Sequence, residues 1–155
     1  MFRPVLLHTP SLTCFQAEDG ELFSAADIDH EELCWDSVYR DPYEYEAADE
    51  TGATVKHHIV EKATIMEVFE KKHSSIGIFI GGNKYTFASY DDDCQSGEYT
   101  FKCVSAAKTK GGAHLVMTPG GYIIICVFDE TRGQNKTTSR MAAFALAEYM
   151  AANGY

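Results

Sequence analysis

The residues that could do chemistry form a few small groups, and most of them fail on spacing. His57 and His58 are adjacent. On a strand they would point to opposite faces, so they cannot share one metal ion, and exposed histidines are the simpler reading. Asp91-Asp92-Asp93 is acidic enough to suggest calcium. It lacks the alternating acids, central glycine and closing glutamate of a calcium loop, and reads as a solvated loop. Cys94 and Cys103 with His114 would offer a thiol and a base only if folding brought them together. Lys110-Gly111-Gly112 lacks the spaced glycines of a phosphate loop and the hydroxyl residue after its lysine. No G-x-G-x-x-G, G-x-S-x-G or H-E-x-x-H occurs. The expectation is a protein that is not an enzyme, with no catalytic residue, cofactor or metal.

The remaining pattern is basic. Lys84, Lys102, Lys108, Lys110, Arg132, Lys136 and Arg140 cluster in the second half of the chain. Successive antiparallel strands could gather several of them on one face, where they would suit an acidic protein partner. The plainer alternative is scattered solubilising charge.

The 155 residues fit one domain, 1–155, able to bury a core without disulfides or metal. The net charge of -10 arises almost wholly between Ala17 and Glu50, where thirteen acids face one base, Arg40. That balance argues against nucleic acid, which needs a basic footprint. No apolar run is long enough to span a membrane, and the apolar stretch after Pro4 is too short for a secretion signal, so the cytoplasm is expected. The five cysteines, an odd number with no C-x-x-C pair, read as free thiols. The sequon Asn135-Lys136-Thr137 is expected to be unused.

The elements that must position these residues follow from pattern. Residues 1–13 hold Pro4 and Pro10 and show no period. Thr13–Gln16 and Glu21–Ala25 read as a hairpin, Asp29–Tyr39 as a helix, and Lys62–Lys72 as a second helix. Residues 43–60 read as an acidic arm turning near Thr51-Gly52. From Ile76 the pattern is a meander of short strands joined by glycine turns, which implies an antiparallel sheet and an α+β class. Thr138–Ala152 closes the chain as an alanine-rich helix, with Asn153-Gly154 as its stop.

Four segments then resemble one family. Gly77-Ile78-Phe79-Ile80-Gly81-Gly82-Asn83-Lys84-Tyr85 resembles a G-G-x-K-Y segment of profilins, and Lys108-Thr109-Lys110-Gly111-Gly112-Ala113-His114-Leu115 resembles their K-x-K-G-G-A-H-L strand pair. Phe128-Asp129-Glu130, and then Phe144–Tyr149 with the terminal Asn153-Gly154-Tyr155, complete the order. The acidic arm and the F-A-L-A-E-Y ending look most like profilins of apicomplexan parasites.

The resemblance implies a central antiparallel sheet sandwiched between terminal helices and additional helices. It implies binding of monomeric actin, regulation of polymerisation in the cytoskeleton, and a monomeric state. Lys84, Lys108, Lys110, His114, Met117, Thr138 and Arg140 stand at or beside actin-face positions, while Ser89 and Ala106 occupy positions that are basic in vertebrate relatives. Phe23, Tyr149 and Tyr155 match aromatics that bind proline-rich proteins such as formins. The usual amino-terminal helix with its aromatics is not visible; Phe2 alone remains. An alternative in another class is an adaptor of the same fold that binds proline-rich peptides with little or no actin binding.

Overall fold

The computed structural model describes residues 11–16, 22–26 and 39–155. The helix expected at 29–39, apart from Tyr39, and residues 1–10 lie outside that set. Nine strands are described: β1 (Ser11–Gln16), β2 (Leu22–Ala26), β3 (Tyr43–Ala48), β4 (Thr54–Ile59), β5 (Ile78–Ile80), β6 (Asn83–Ser96), β7 (Tyr99–Lys108), β8 (Gly111–Met117) and β9 (Tyr122–Asp129). Two α-helices accompany them, α1 (Glu61–Lys71) and α2 (Lys136–Ala152). Seven strands make one antiparallel sheet in the order β2-β1-β9-β8-β7-β6-β5, and β3-β4 stand apart as a hairpin, the acidic arm.

Alternation along the central strands builds two cores, one on each face. Leu115 pairs with Val104 and Ile125, and this row meets Ile65, Val68 and Phe69 of α1. Its neighbour Val116 pairs with Cys103 and Ile124, and that row meets Ala143, Ala147 and Met150 of α2. The strands β7–β9 are therefore covered on both sides, which is why their apolar runs show little polar alternation. Burying each Leu, Ile or Val contributes roughly 1.5–3 kcal/mol. Ala143 and Ala147 are fully buried, and their small side chains let α2 lie close to the sheet.

Three boundaries differ from the sequence reading. Residues 11–13 belong to β1 and pair with β9, so the irregular amino-terminal segment ends earlier. Asp91–Asp93 continue β6 instead of starting a loop. Register shifts at Phe87/Ser89 and Asp91/Cys94 absorb the extra residues: Asp91 pairs with Cys103, Asp92 and Asp93 fall in the second shift, and pairing resumes at Cys94. The cap of α2 is Asn135, whose side-chain oxygen accepts from the Thr138 amide at 2.9 Å, so the helix starts two residues before Thr138.

The β7–β8 turn is tight. Lys110 takes a left-handed φ of 56°, and β8 begins at once with Gly111 and Gly112. A Cβ on Gly112 would meet the Ala106 carbonyl oxygen at 2.7 Å and the Phe128 ring at 2.8 Å. Gly112→Ala is expected to cost about 1–3 kcal/mol, read as a lower denaturant midpoint, because backbone and a packed ring must give way. An unchanged midpoint would show that the approach is not tight.

His114 ties the sheet to α2. Its ring is 2% exposed, stacks on Phe128 with centroids 5.8 Å apart, and places Nε2 3.1 Å from the Lys136 carbonyl oxygen. A carbonyl only accepts, so Nε2 carries the proton and Nδ1 is left to face the Ser105 hydroxyl at 3.4 Å. Burial lowers the His114 pKa. The unfolded chain takes up this proton near pH ~6.5 and the folded chain only at lower pH. Between those values the unfolded state binds more protons, so this contribution is present above the window and lost as pH falls through it. His114→Gln should flatten the fall in stability between about pH 7.5 and about pH 5.5, measured by urea denaturation. Parallel curves for variant and parent would contradict this.

Candidate functional site

The face shared by α2 continues past the helix as an open strip. Ser105 lies in register with His114, and Ala107 with Thr86 and Gly112. By the two-residue period these belong to the face that carries Cys103 and Val116, the α2 face. Further along the same face, Phe79 pairs with Lys84. There the arm returns and covers Phe79 with the rings of Tyr43 and Tyr45, at 6.4 and 5.1 Å. The arm and α2 thus flank a strip of small side chains, Thr86, Ala88, Ser105 and Ala107.

A cleft of about 370 Å³ opens in this strip beside the β7–β8 turn. Lys110, Lys136 and Glu130 line it together with His114 and Phe128, and Lys108 borders it. The turn is held in place by the Glu130 amide, which donates to the Lys110 carbonyl at 3.0 Å. Asp129 fixes the next corner, accepting from the Thr131 amide and hydroxyl at 2.8 and 2.6 Å. Those bonds hold its carboxyl below the usual range, and the nearby charges of Lys108 and Arg132 reinforce the effect. The Lys108 ammonium sits 5.3 Å from the centre of the buried Tyr85 ring.

The residues singled out from sequence are partly brought together. Lys110 and His114 share the cleft; Lys108 reaches its edge, but its parity with Val104 and Ala106 and its ammonium over Tyr85 place the side chain on the α1 side. Thr138 and Arg140 follow on the first turns of α2, both exposed. Arg140 lies over the Phe144 ring at 5.0 Å and reaches the Cys94 sulfur at 3.7 Å. Lys84 stands at the other end of the strip, 5.3 Å from the centre of the Tyr45 ring. Met117 is on the opposite face, half-buried against the α1 core, in register with Lys102. Sequence reasoning placed Lys136 among the bases of the second half without assigning it to a site. Its position just past the Asn135 cap, facing a strand that carries His114, is the signal that joins it to the cleft.

His114 does not serve as a base here. Nε2 is committed to the helix backbone, and burial keeps the ring neutral and weakly basic. Cys94, Cys103 and Cys126 are buried free thiols, and burial pushes Cys103 and Cys126 up, the latter to about 11. Such thiols are protonated and poorly nucleophilic at neutral pH.

At the far end of α2, Tyr149 is 68% exposed and Tyr155 50% exposed. Tyr155 packs edge-on against Tyr122 at 5.3 Å, and its amide donates to the Met150 carbonyl at 3.0 Å. Tyr149 is therefore not a core residue. Tyr122 was not singled out from sequence, because it reads as the first residue of an apolar strand. Phe23 falls in β2, whose side chains are outside the described set.

A family model described as Profilin matches residues 44–155. A profilin of Plasmodium falciparum is 36% identical over 117 residues, covering 76% of this chain and 68% of that protein. A profilin of Plasmodium berghei is 33% identical over 114 residues, covering 74% of this chain and 66% of that protein. Among solved structures, Acanthamoeba castellanii profilin IB matches with a TM-score of 0.57 at 13% identity, over 95% of this chain and 88% of that one, which speaks for the fold alone. With the family pattern matched from the arm to the last residue, the chain belongs to the profilin family, in its apicomplexan form.

Proposed function

We propose that this protein binds monomeric actin and regulates actin polymerisation in the cytoplasm, using the strip between the first turn of α2 and the arm. The observation that carries the proposal is the lysine-lined cleft in a chain of net charge -10. A protein that repels most acidic surfaces keeps a basic recess, and at its floor the neutral His114 holds the helix that delivers Lys136. Family membership supports the same partner. The arm extends the contact surface, and the protein acts as a monomeric binding module.

Titration of the full chain into labelled monomeric actin tests the reading. Binding at micromolar concentrations and low salt is expected. Lys110→Glu or Arg140→Glu should weaken it roughly five- to tenfold, and raising the salt should weaken it further. Salt-independent binding would remove the electrostatic account, and no binding at tens of micromolar would remove the function.

A second reading has its own support. The exposed Tyr149 and Tyr155 suit the flat rings of a proline-rich ligand, such as a segment of a formin. Tyr149→Ala should weaken a polyproline peptide by about fivefold or more, monitored by tyrosine fluorescence. Unchanged peptide affinity in that variant would leave these rings without this role.

A further inference from the structure

Glu61 is a buried carboxylate at the start of α1, 5% exposed. Its oxygens are all but saturated. Oε1 accepts from the Tyr43 hydroxyl at 3.0 Å and the Gly82 amide at 2.6 Å, and Oε2 accepts from the Gly81 amide at 2.8 Å. Gly81 and Gly82 both have positive φ, 57° and 80°, which turns successive amides toward one acceptor. Arg40 packs over Tyr43 at 4.2 Å, and its guanidinium would lie 3.0 Å from a Cβ on Gly82.

The position of these bonds matters more than their number. Tyr43 begins β3 and pairs with Ile59, the last residue of β4; Val60 and Glu61 follow directly. The carboxylate therefore grips the base of the arm on one side and the β5–β6 turn on the other. A buried carboxylate is costly unless donors fill it. These donors converge only when the arm is seated on Phe79 and the turn is closed.

We infer that Glu61 is a positioning residue for the arm, fixing the angle at which β3–β4 stand over the sheet and so setting how the arm meets a partner. The inference rests on the actin reading for its consequence, and on geometry alone for the latch. With Glu61 in place the Tyr45 ring stays over Phe79 and beside Lys84, and the acidic outer residues Glu44 and Glu46 are held outward by Lys56, at 3.5 and 3.4 Å.

Hydrogen exchange on the full chain, with Glu61→Gln and the milder Tyr43→Phe, tests the latch. In Glu61→Gln the arm amides should exchange roughly tenfold faster while those of β8 and β9 keep their parent rates, and Tyr43→Phe should shift the arm in the same direction by less. Actin affinity should fall about fivefold in Glu61→Gln. That fall should vanish when residues 46–56 are replaced by an Asn-Gly turn, since no long arm is left to position. Unchanged arm exchange in both variants, or an equal loss of affinity with and without the long arm, would overturn the inference. Should the parent chain fail to bind actin, the functional reading falls, and the exchange rates still decide whether Glu61 holds the arm.

Discussion

Two-sided burial of β7, β8 and β9 is the constraint on which the rest of this molecule depends. Each of these strands sends one residue to the α1 core and the next to the α2 core, so neither face can slip without exposing the other. A shift of one residue would place Val116 where Leu115 packs and reverse both cores at once. Because the register is fixed, the turn that follows β7 is fixed too. Lys108 and Lys110 stand at the end of the best-buried ladder in the described fold, and their placement depends on Leu115 and Ile125 as much as on the turn itself.

The α2 helix inherits this rigidity through small contacts. Alanines at 143 and 147 bring it close, and His114 takes up the carbonyl of Lys136 at its first turn. A histidine used in this way is a positioning device: its neutrality matters more than its charge. The arm is built differently. It leans on the sheet through Tyr43, Tyr45 and one carboxylate, and its own strands carry mostly exposed residues. Motion is expected to concentrate there, since few apolar side chains hold it down.

Much of this was legible in the residues. The glycine-punctuated strands, the closing alanine-rich helix and the arm around Thr51-Gly52 follow from local pattern, and the K-G-G-A-H-L segment carried the family. The bulged length of β6 was not legible, because Asp91–Asp93 looks like a loop until the pairing of Asp91 and Cys94 with β7 brackets it. The split of the basic residues was also hidden. Lys102, Lys108 and Met117 fall on the α1 side and Lys136 in the cleft, and that division depends on register between strands, which one sequence does not display. Glu61 was invisible for a related reason: an acid at a helix start is commonplace until the Gly81-Gly82 amides, twenty residues away, turn toward it.

The central claim is that one face of the sheet, between α2 and the arm, meets actin. Hydrogen exchange of the chain alone and in complex with monomeric actin tests it most directly. Slowed exchange is predicted at the β7–β8 turn, the first turn of α2 and the arm, with α1 unchanged. Slowed exchange confined to α1 and the Met117 side of the sheet would contradict it.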